Sequence, residues 1–501
     1  MLSVLPAIAI HLGTGNILLL LSILVLFAIV ISRLGARYGV PGMLLFLIIG
    51  MAAGPDGLGV EVGNHELAEF LGHLGITIII LAGGLETSLK ETRPVMKRGL
   101  MLSTVGLLVT VLSTGFFIYF VLGDRVGSAG ATLLGCFLIA AVLSSTDSPT
   151  VFSVLRSKHL HLRENLDPVL ELESGSNDPM AYSLTLILVK ITMDYDKLGL
   201  QGESWFVGAG AVFLILLWQV VSGLAVGFGV GFGARWLIRR IDLHSGPLYS
   251  ILILTLALLA NGLASLIGGN GLIALYVAAI IIGNMRDFQY KKDVEKFFEG
   301  ITWLAQLLMF LLLGLLARPS HMPAVLLPAL LVGVFLLLVG RPLGVFLSLL
   351  PFRKLSLRAR AYVSWAGMKG AGPILFALCT VLHDVEGSTQ IFNIVFCIAL
   401  LSLLVQGMTL VPVARKLDLC IEDDPEVESF GMEIPEEMGM LRDHSVSEED
   451  LVKGPTLRDL RLPHGIRVVM VRREGKFIVP HGSLELKVGD RLVILMGDTE
   501  D

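Results

Sequence analysis

Charge is what this chain lacks most: Asp, Glu, Lys and Arg make up only 16% of its 501 residues, while 54% are hydrophobic. A soluble protein of this size carries about a quarter charged residues, so the shortage, with a mean hydropathy of +0.78, excludes an ordinary soluble enzyme and indicates a polytopic membrane protein. Cysteine is scarce as well. Cys136, Cys379 and Cys397 fall in apolar stretches and Cys420 follows the last of them, without metal-ligand spacing or the makings of a disulfide framework. The first fifteen residues have neither a basic region nor a small-residue cleavage pattern, so no removed leader is expected. A Gly-x-Ser-x-Gly element and paired catalytic acids are both missing, which argues against an intramembrane enzyme. Nothing calls for a cofactor or a nucleic-acid partner.

Apolar segments able to cross a hydrocarbon core of about 30 Å are present at 16–32, 40–53, 66–85, 99–122, 130–154 and 166–191, and again at 205–234, 247–267, 271–285, 299–317, 323–350, 361–382 and 391–413. Thirteen spans are therefore expected, the short ones least distinctly. Basic residues recur in alternate loops, for example Arg33 and Arg37, then Lys90, Arg93, Lys97 and Arg98, later Arg353, Lys354, Arg358 and Arg360, and finally Arg415 and Lys416. By the positive-inside rule the N-terminus is expected outside, in the periplasm, and the chain after Leu417 in the cytoplasm. An acid-rich stretch, Glu422 to Asp450, reads as a solvated linker. Beyond Leu451, alternating runs at 466–471, 477–479 and 491–495 read as strands joined by turns. The expected organisation is an all-α membrane domain over 1–417, a linker over 418–450 and a small cytoplasmic α/β domain over 451–501. That last domain shows no P-loop or dinucleotide fingerprint.

The polar residues that do enter the spans carry the functional signal. Glu173-Ser174-Gly175-Ser176-Asn177-Asp178-Pro179 lies inside the sixth segment and Ser144-Ser145-Thr146-Asp147-Ser148-Pro149 inside the fifth. A central Asp costs about 2.5 to 3.5 kcal/mol on insertion scales, so acids at this depth mark ion or proton sites. Asp178 can hold either a proton or a desolvated monovalent cation. The two states exclude each other, which couples opposed movements of the two ions. Asn177 adds no titrating group, so a single working carboxyl predicts electroneutral one-for-one exchange. Pro149 removes a backbone donor and clashes with the preceding turn, freeing carbonyls near Thr146 and Asp147. A matching interruption, Gly367-Met368-Lys369-Gly370-Ala371-Gly372-Pro373, falls in the twelfth segment. Paired interruptions in two halves of a transporter point to inverted repeats with the substrate at the midplane. Two discontinuous helices crossing there would gather like dipole ends, which Asp147 and Lys369 would neutralise at the N-terminal and C-terminal ends respectively. A channel would need a continuous polar pore, whereas these acids cluster at one depth.

In this order, Gly83-Gly84-Leu85-Glu86, Thr146-Asp147-Ser148-Pro149, Glu173-Ser174-Gly175-Ser176-Asn177-Asp178, Asn270-Gly271-Leu272-Ile273-Ala274 with Tyr276-Val277-Ala278, and Gly367-Met368-Lys369-Gly370 resemble the NhaP-type monovalent cation/proton antiporters of cation/proton antiporter family 1, over about residues 16–413. The resemblance implies a thirteen-span fold with a dimerisation domain, a mobile six-helix core, homodimers and elevator-like alternating access. It implies Asp178 as the exchanged carboxylate, with Asn177 as its neighbour and Thr146, Asp147 and Ser174 around the ion. It also implies a buried ion pair between Glu173 and Arg341, the alternative being that Glu173 is a ligand. Lys369 stands where members often have Arg, which keeps the charge but loses the planar fork; charge compensation is its expected role. Glu86 is either on the ion's path or a solvated helix end. Asn261, Asn270 and Asn284 read as packing and helix-end residues, His11 and His73 as interfacial. The tail resembles the C-terminal half of the modules that regulate potassium channels and transporters. The combination resembles the potassium/proton antiporters of bacterial inner membranes, implying potassium over sodium and a nucleotide or other small ligand at the tail.

Overall fold

The computed structural model describes residues 14–38, 41–60, 65–126, 128–156, 158, 160–194, 205–243, 245–285, 288–422, 441–446, 451, 454–460, 466–473 and 476–496. The chain divides into two compact units, Met1–Glu422 and Asp423–Asp501.

The first unit is helical because lipid leaves the backbone no water to bond, so each segment satisfies its own amides and carbonyls. Its helices are α1 (Thr14–Tyr38), α2 (Gly42–Ala53), α3 (His65–Glu86), α4 (Met96–Leu122), α5 (Leu133–Val142), α6 (Ser148–Arg156), α7 (Leu166–Asp194), α8 (Trp205–Arg240), α9 (Gly246–Leu266), α10 (Gly271–Gly283), α11 (Lys291–Leu316), α12 (Pro319–Ser348), α13 (Leu357–Trp365), α14 (Ala371–Leu382) and α15 (Ser388–Lys416). Among the described residues, seven helices are long and apolar enough to cross a membrane, lying within α3, α4, α8, α9, α11, α12 and α15. Five further apolar stretches are shorter: α2, α5, α10, α14 and Leu19–Ile31 of α1. The expected fifth segment is split into α5 and α6, and the twelfth into α13 and α14. The sixth is not split: α7 runs on through Pro179.

Three helix starts are capped by side chains, which satisfies amides that lipid would leave orphaned. Thr132 accepts from the Gly135 amide (3.1 Å) at α5, Asn270 from that of Ile273 (2.9 Å) at α10, and Ser356 from that of Ala359 (3.0 Å) at α13. Asn270 also donates to the Pro179 carbonyl (2.8 Å), so the carbonyl of the proline within α7 is bound from a neighbouring helix. Asn284 ends α10 and donates to Thr87 O (2.8 Å). Small residues set the closest approach of two helices: a Cβ on Gly50 of α2 would lie 2.3 Å from Leu311 O, and one on Gly314 of α11 2.3 Å from Leu47 O. His73, read as interfacial, sits two turns inside α3 with its ring edge-on to Tyr182 at 5.5 Å. Two antiparallel strands, β1 (Leu160–Leu162) and β2 (Cys420–Glu422), join the loop before α7 to the chain after α15.

The second unit carries strands β3 (Leu441–Ser445), β4 (Ile466–Arg473), β5 (Lys476–Ile478) and β6 (Arg491–Met496) in the order β3-β6-β4-β5, all neighbours antiparallel. Val446, Val471, Leu486, Leu492 and Ile494 form its core. The three runs expected from alternation became β4, β5 and β6. β2 and β3 lie within the stretch expected to be linker, because an edge strand needs only backbone partners and leaves little apolar signature; β3 pairs residue by residue with β6. The acidic residues 423–440 and 447–450 lie outside the described residues, as does His11.

Arg473 clamps Asp490 through Nε–Oδ1 (2.8 Å) and Nη2–Oδ2 (2.6 Å), with the Lys487 amide donating to Oδ2 (2.8 Å). Burial pushes the Asp490 carboxyl up, but Arg473 and the Lys487 amide more than offset this and hold it below the ordinary carboxylate range. Such a group adds stability above its unfolded value of about 4 and loses it as pH falls through the folded value. Asp490→Asn is therefore expected to destabilise this unit by about 1.5 to 3 kcal/mol at neutral pH. The measurement is faster hydrogen exchange in β4 and β6 of the full chain, the difference from wild type shrinking as pH is lowered through that range.

Candidate ion-binding site

Two interruptions meet beside α7. Residues 143–147 separate α5 from α6, and 366–370 separate α13 from α14. The backbones join directly, the Asp147 amide donating to Met368 O (3.0 Å). Consecutive polar positions on α7 face the first break. Ser174 Oγ donates to Thr146 O (2.8 Å) and accepts from the Ser148 amide (3.1 Å), and Asn177 Nδ2 donates to Thr146 Oγ1 (2.6 Å). Ser145 Oγ donates to Asp178 Oδ1 at 2.5 Å. A cavity of about 30 Å³ lies here, bounded by Asp178, Ser145, Thr146, Asp147, Thr150 and apolar side chains including Ile80. That is space for one water-sized or ion-sized guest, lined by carboxyl and hydroxyl oxygens, the donor set that suits a hard monovalent cation.

The helix ends are met by opposite charges. Asp147 Oδ1 accepts from the Thr150 amide (3.0 Å) and Oδ2 from Thr150 Oγ1 (2.7 Å), so this carboxylate caps the start of α6. It also lies against the start of α14, where a Cβ on Gly370 would fall 1.7 Å from Asp147 Oδ2. Only glycine leaves room for the carboxylate. Lys369 Nζ donates to Ser145 O (2.8 Å) and Ser144 O (3.4 Å), carbonyls that follow the C-terminal end of α5. The Lys369 amide donates to Ser402 Oγ (2.8 Å), Ser402 bonds Gln406, and Gln406 Nε2 donates to Trp365 O (2.6 Å). Thus α15 ties down both sides of the second break.

Glu173 and Arg341 touch away from this cavity. Arg341 Nη2 lies 2.5 Å from Glu173 Oε1, off the direction of an in-line hydrogen bond, and both side chains are at least 95% buried. Glu86 is set apart, half exposed at the end of α3 and 3.9 Å from Arg156. Of the residues singled out from sequence, Thr146, Asp147, Ser174, Asn177, Asp178 and Lys369 are brought together, Glu173 and Arg341 form a neighbouring pair, and Glu86 is at a distance. Three participants were missed: Ser145, whose hydroxyl touches Asp178, Thr150, and the Ser402–Gln406 pair. Ser145 lay in the polar cluster of the fifth segment, where no role was read from it. Ser402 and Gln406 were hidden in the most apolar part of α15. Tyr276 has a packing explanation, since a Cβ on Gly175 would sit 2.7 Å from its ring.

A model of the transmembrane sodium/hydrogen exchangers matches residues 20–416. The chain belongs to the sodium/hydrogen exchanger family. This exchanger is a multi-pass membrane transporter that exchanges a monovalent cation for protons, not an enzyme. A TrkA-C domain model matches its residues 441–499. Over 477 residues it is 32% identical to the K(+)/H(+) antiporter NhaP2 of Shewanella baltica (strain OS223), covering 95% of this chain and 80% of that one. Over 503 residues it is 33% identical to the K(+)/H(+) antiporter NhaP of Alkalimonas amylolytica, covering 97% and 82%. The Na(+)/H(+) antiporter NhaH of Halobacillus aidingensis is 30% identical over 324 residues, 62% of this chain and 76% of that one. In fold it resembles the sodium proton antiporter MjNhaP1 from Methanocaldococcus jannaschii at pH 8, with a TM-score of 0.65 and 22% identity, covering 79% of this chain and 100% of that one.

Removing one partner of a buried ion pair leaves the other charge uncompensated, at a cost of about 3 to 5 kcal/mol. Glu173→Gln and Arg341→Ala of the exchanger are expected to lower thermal stability in detergent more than they change apparent cation affinity. A stable Glu173→Gln protein with weakened cation dependence would make Glu173 a ligand instead.

Proposed function

We propose that this exchanger is a potassium/proton antiporter in which Asp178 alternately holds a proton and one monovalent cation. The observation that carries the reading is the placement of Asp178: a part-buried carboxyl beside an ion-sized cavity, held by a hydroxyl and next to two helix breaks. Asn177, Thr146 and Ser174 fix that geometry, Asp147 and Lys369 compensate the helix ends, and Glu173 with Arg341 hold α7 to α12. Glu86 belongs to the ion's approach. One titrating carboxyl makes the exchange electroneutral and one-for-one. Potassium is favoured over sodium because the two potassium/proton relatives match over at least 95% of the chain, whereas the sodium/proton relative matches over 62%. Sodium/proton exchange is the alternative within the same chemistry. A cation channel is disfavoured by the small volume at Asp178.

The wider reading is a homodimer working by alternating access in a bacterial inner membrane, N-terminus periplasmic and C-terminus cytoplasmic. Residues 1–417 are assigned to transport, 418–450 to a linker and 451–501 to regulation by a nucleotide or other small ligand. The TrkA-C match and the separate second unit support a regulatory module distinct from the transport domain, with the match and strand β3 beginning at 441, ten residues before the expected start.

Asp178→Asn is expected to reduce potassium- and sodium-driven proton movement in proteoliposomes to the level of empty vesicles while the protein still elutes as the wild-type species, because an amide cannot exchange a proton for a cation. Proton-coupled exchange by a well-folded Asp178→Asn protein would refute the assignment. Deletion of residues 418–501 is expected to leave exchange intact and alter its dependence on pH and cation concentration. Loss of all transport by a truncated protein that still inserts into the membrane would place the tail within the translocation machinery.

A further inference from the structure

The turn between α12 and α13 is the most cationic short segment of the described membrane unit that the transport reading does not use. Arg353, Lys354, Arg358 and Arg360 fall within eight residues, and the chain from Arg341 to Lys369 contains no acid. The turn bounds an open cavity of about 820 Å³, lined by Arg353, Arg360, Ser356 and the apolar Leu350, Leu355 and Leu357. Its lip is greasy: Leu350 is 65% exposed and Leu357 70%. They stand where α12 has ended and α13 begins.

Arg360 makes this more than a charged loop. The residue is only 8% exposed. Its Nη2 donates to Phe352 O (3.0 Å), while its buried Nε has no hydrogen-bond partner. A buried guanidinium N–H without an acceptor is costly, and the remedy that fits a fork of donors is an oxyanion. The start of α13 adds amides and a positive dipole end beside it. Among the described residues Glu164 is the acid that reaches this turn, its Oε2 accepting from the Ser356 amide (3.0 Å), while two cations, Arg353 and Arg360, line the cavity.

We propose that this cavity binds a phosphate group supplied by an anionic phospholipid, the headgroup on Arg360 and Arg353 and the acyl chains over Leu350 and Leu357. Basic pockets between membrane helices take such headgroups at this depth. A lipid source suits the site because the polar floor and the apolar lip adjoin, and a free anion has no use for the lip. The consequence for transport follows from the chain path. α13 continues past Arg360 to Trp365, whose carbonyl is held by Gln406, and Lys369 comes four residues later. The headgroup would thus anchor the half-helix that leads into the ion-site break, whichever cation is carried.

The test uses delipidated full-length protein titrated with phosphatidylglycerol, with phosphatidylcholine, or with inorganic phosphate in phosphatidylcholine micelles, reading bound lipid by native mass spectrometry and the unfolding midpoint. Saturable phosphatidylglycerol binding is expected, weakened about fivefold by Arg353→Gln, weakened also by Arg360→Lys, which keeps the charge but loses the fork, and unchanged by Lys90→Gln in another basic loop. Arg353 is exposed, so its variant tests the site even where a change at Arg360 compromises folding. Equal phosphatidylglycerol affinity in wild type and Arg353→Gln would overturn the site. Inorganic phosphate that stabilises the protein in phosphatidylcholine and displaces phosphatidylglycerol would overturn the lipid source.

Discussion

Everything at the centre of this molecule depends on one constraint: a helix broken inside a membrane must find partners for the carbonyls and amides that the break releases. Lys369 answers for the carbonyls of Ser144 and Ser145, and Asp147 for the amide of Thr150. Each of these residues belongs to one break and serves a helix end at or across it. The backbone bond from the Asp147 amide to Met368 O closes the loop between them. The two interruptions are therefore one structure, and neither half can be altered without exposing polar backbone in the other. Gly370 records how tightly they fit, since a single methyl would displace the Asp147 carboxylate.

Within that frame, the three acids around the breaks are partnered in different ways. Asp147 is bonded twice by Thr150, and Glu173 is matched by Arg341. Asp178 has a neutral hydroxyl as its direct partner and the small cavity at its side. A carboxyl with a full cationic partner has little reason to take up a further cation, and one with no partner at all would be costly in so apolar a setting. A hydroxyl is the intermediate solution: it stabilises the anion without satisfying its charge. α7 holds this arrangement in register because Ser174, Asn177 and Asp178 share one face at helical spacing and the first two are bonded to Thr146. Asn270, from the start of α10, takes the carbonyl of Pro179 on the same helix.

How far these features were legible in the sequence follows from what each residue costs in lipid. Asp147, Asp178, Glu173 and Lys369 are expensive at that depth, so their presence alone draws attention, and the gathering of the two breaks followed from Pro149 and the glycines around Lys369. The strands of the tail were legible from alternation because each has one buried face. β3 was not, because an edge strand is held by backbone bonds that any sequence can make. The pairing of β1 with β2 was hidden for the same reason, being a contact of three residues a side between segments more than 250 positions apart.

Ser145 and Ser402 show the opposite limit. A serine hydroxyl can be satisfied by a nearby carbonyl of its own helix, so it costs little in a span and carries almost no signal; Thr110, Ser222 and Thr409 are bonded in that way. Ser145 differs from them in lying past the end of its helix, where its hydroxyl bonds Asp178, while that of Ser144 beside it still turns back to Ala141 O. The identity of an ion-site residue is then set less by its own chemistry than by the loss of the local partner it would otherwise have used, and that loss is a property of the break. Polar residues next to a helix interruption therefore carry more information about a site than identical residues one turn further into the helix.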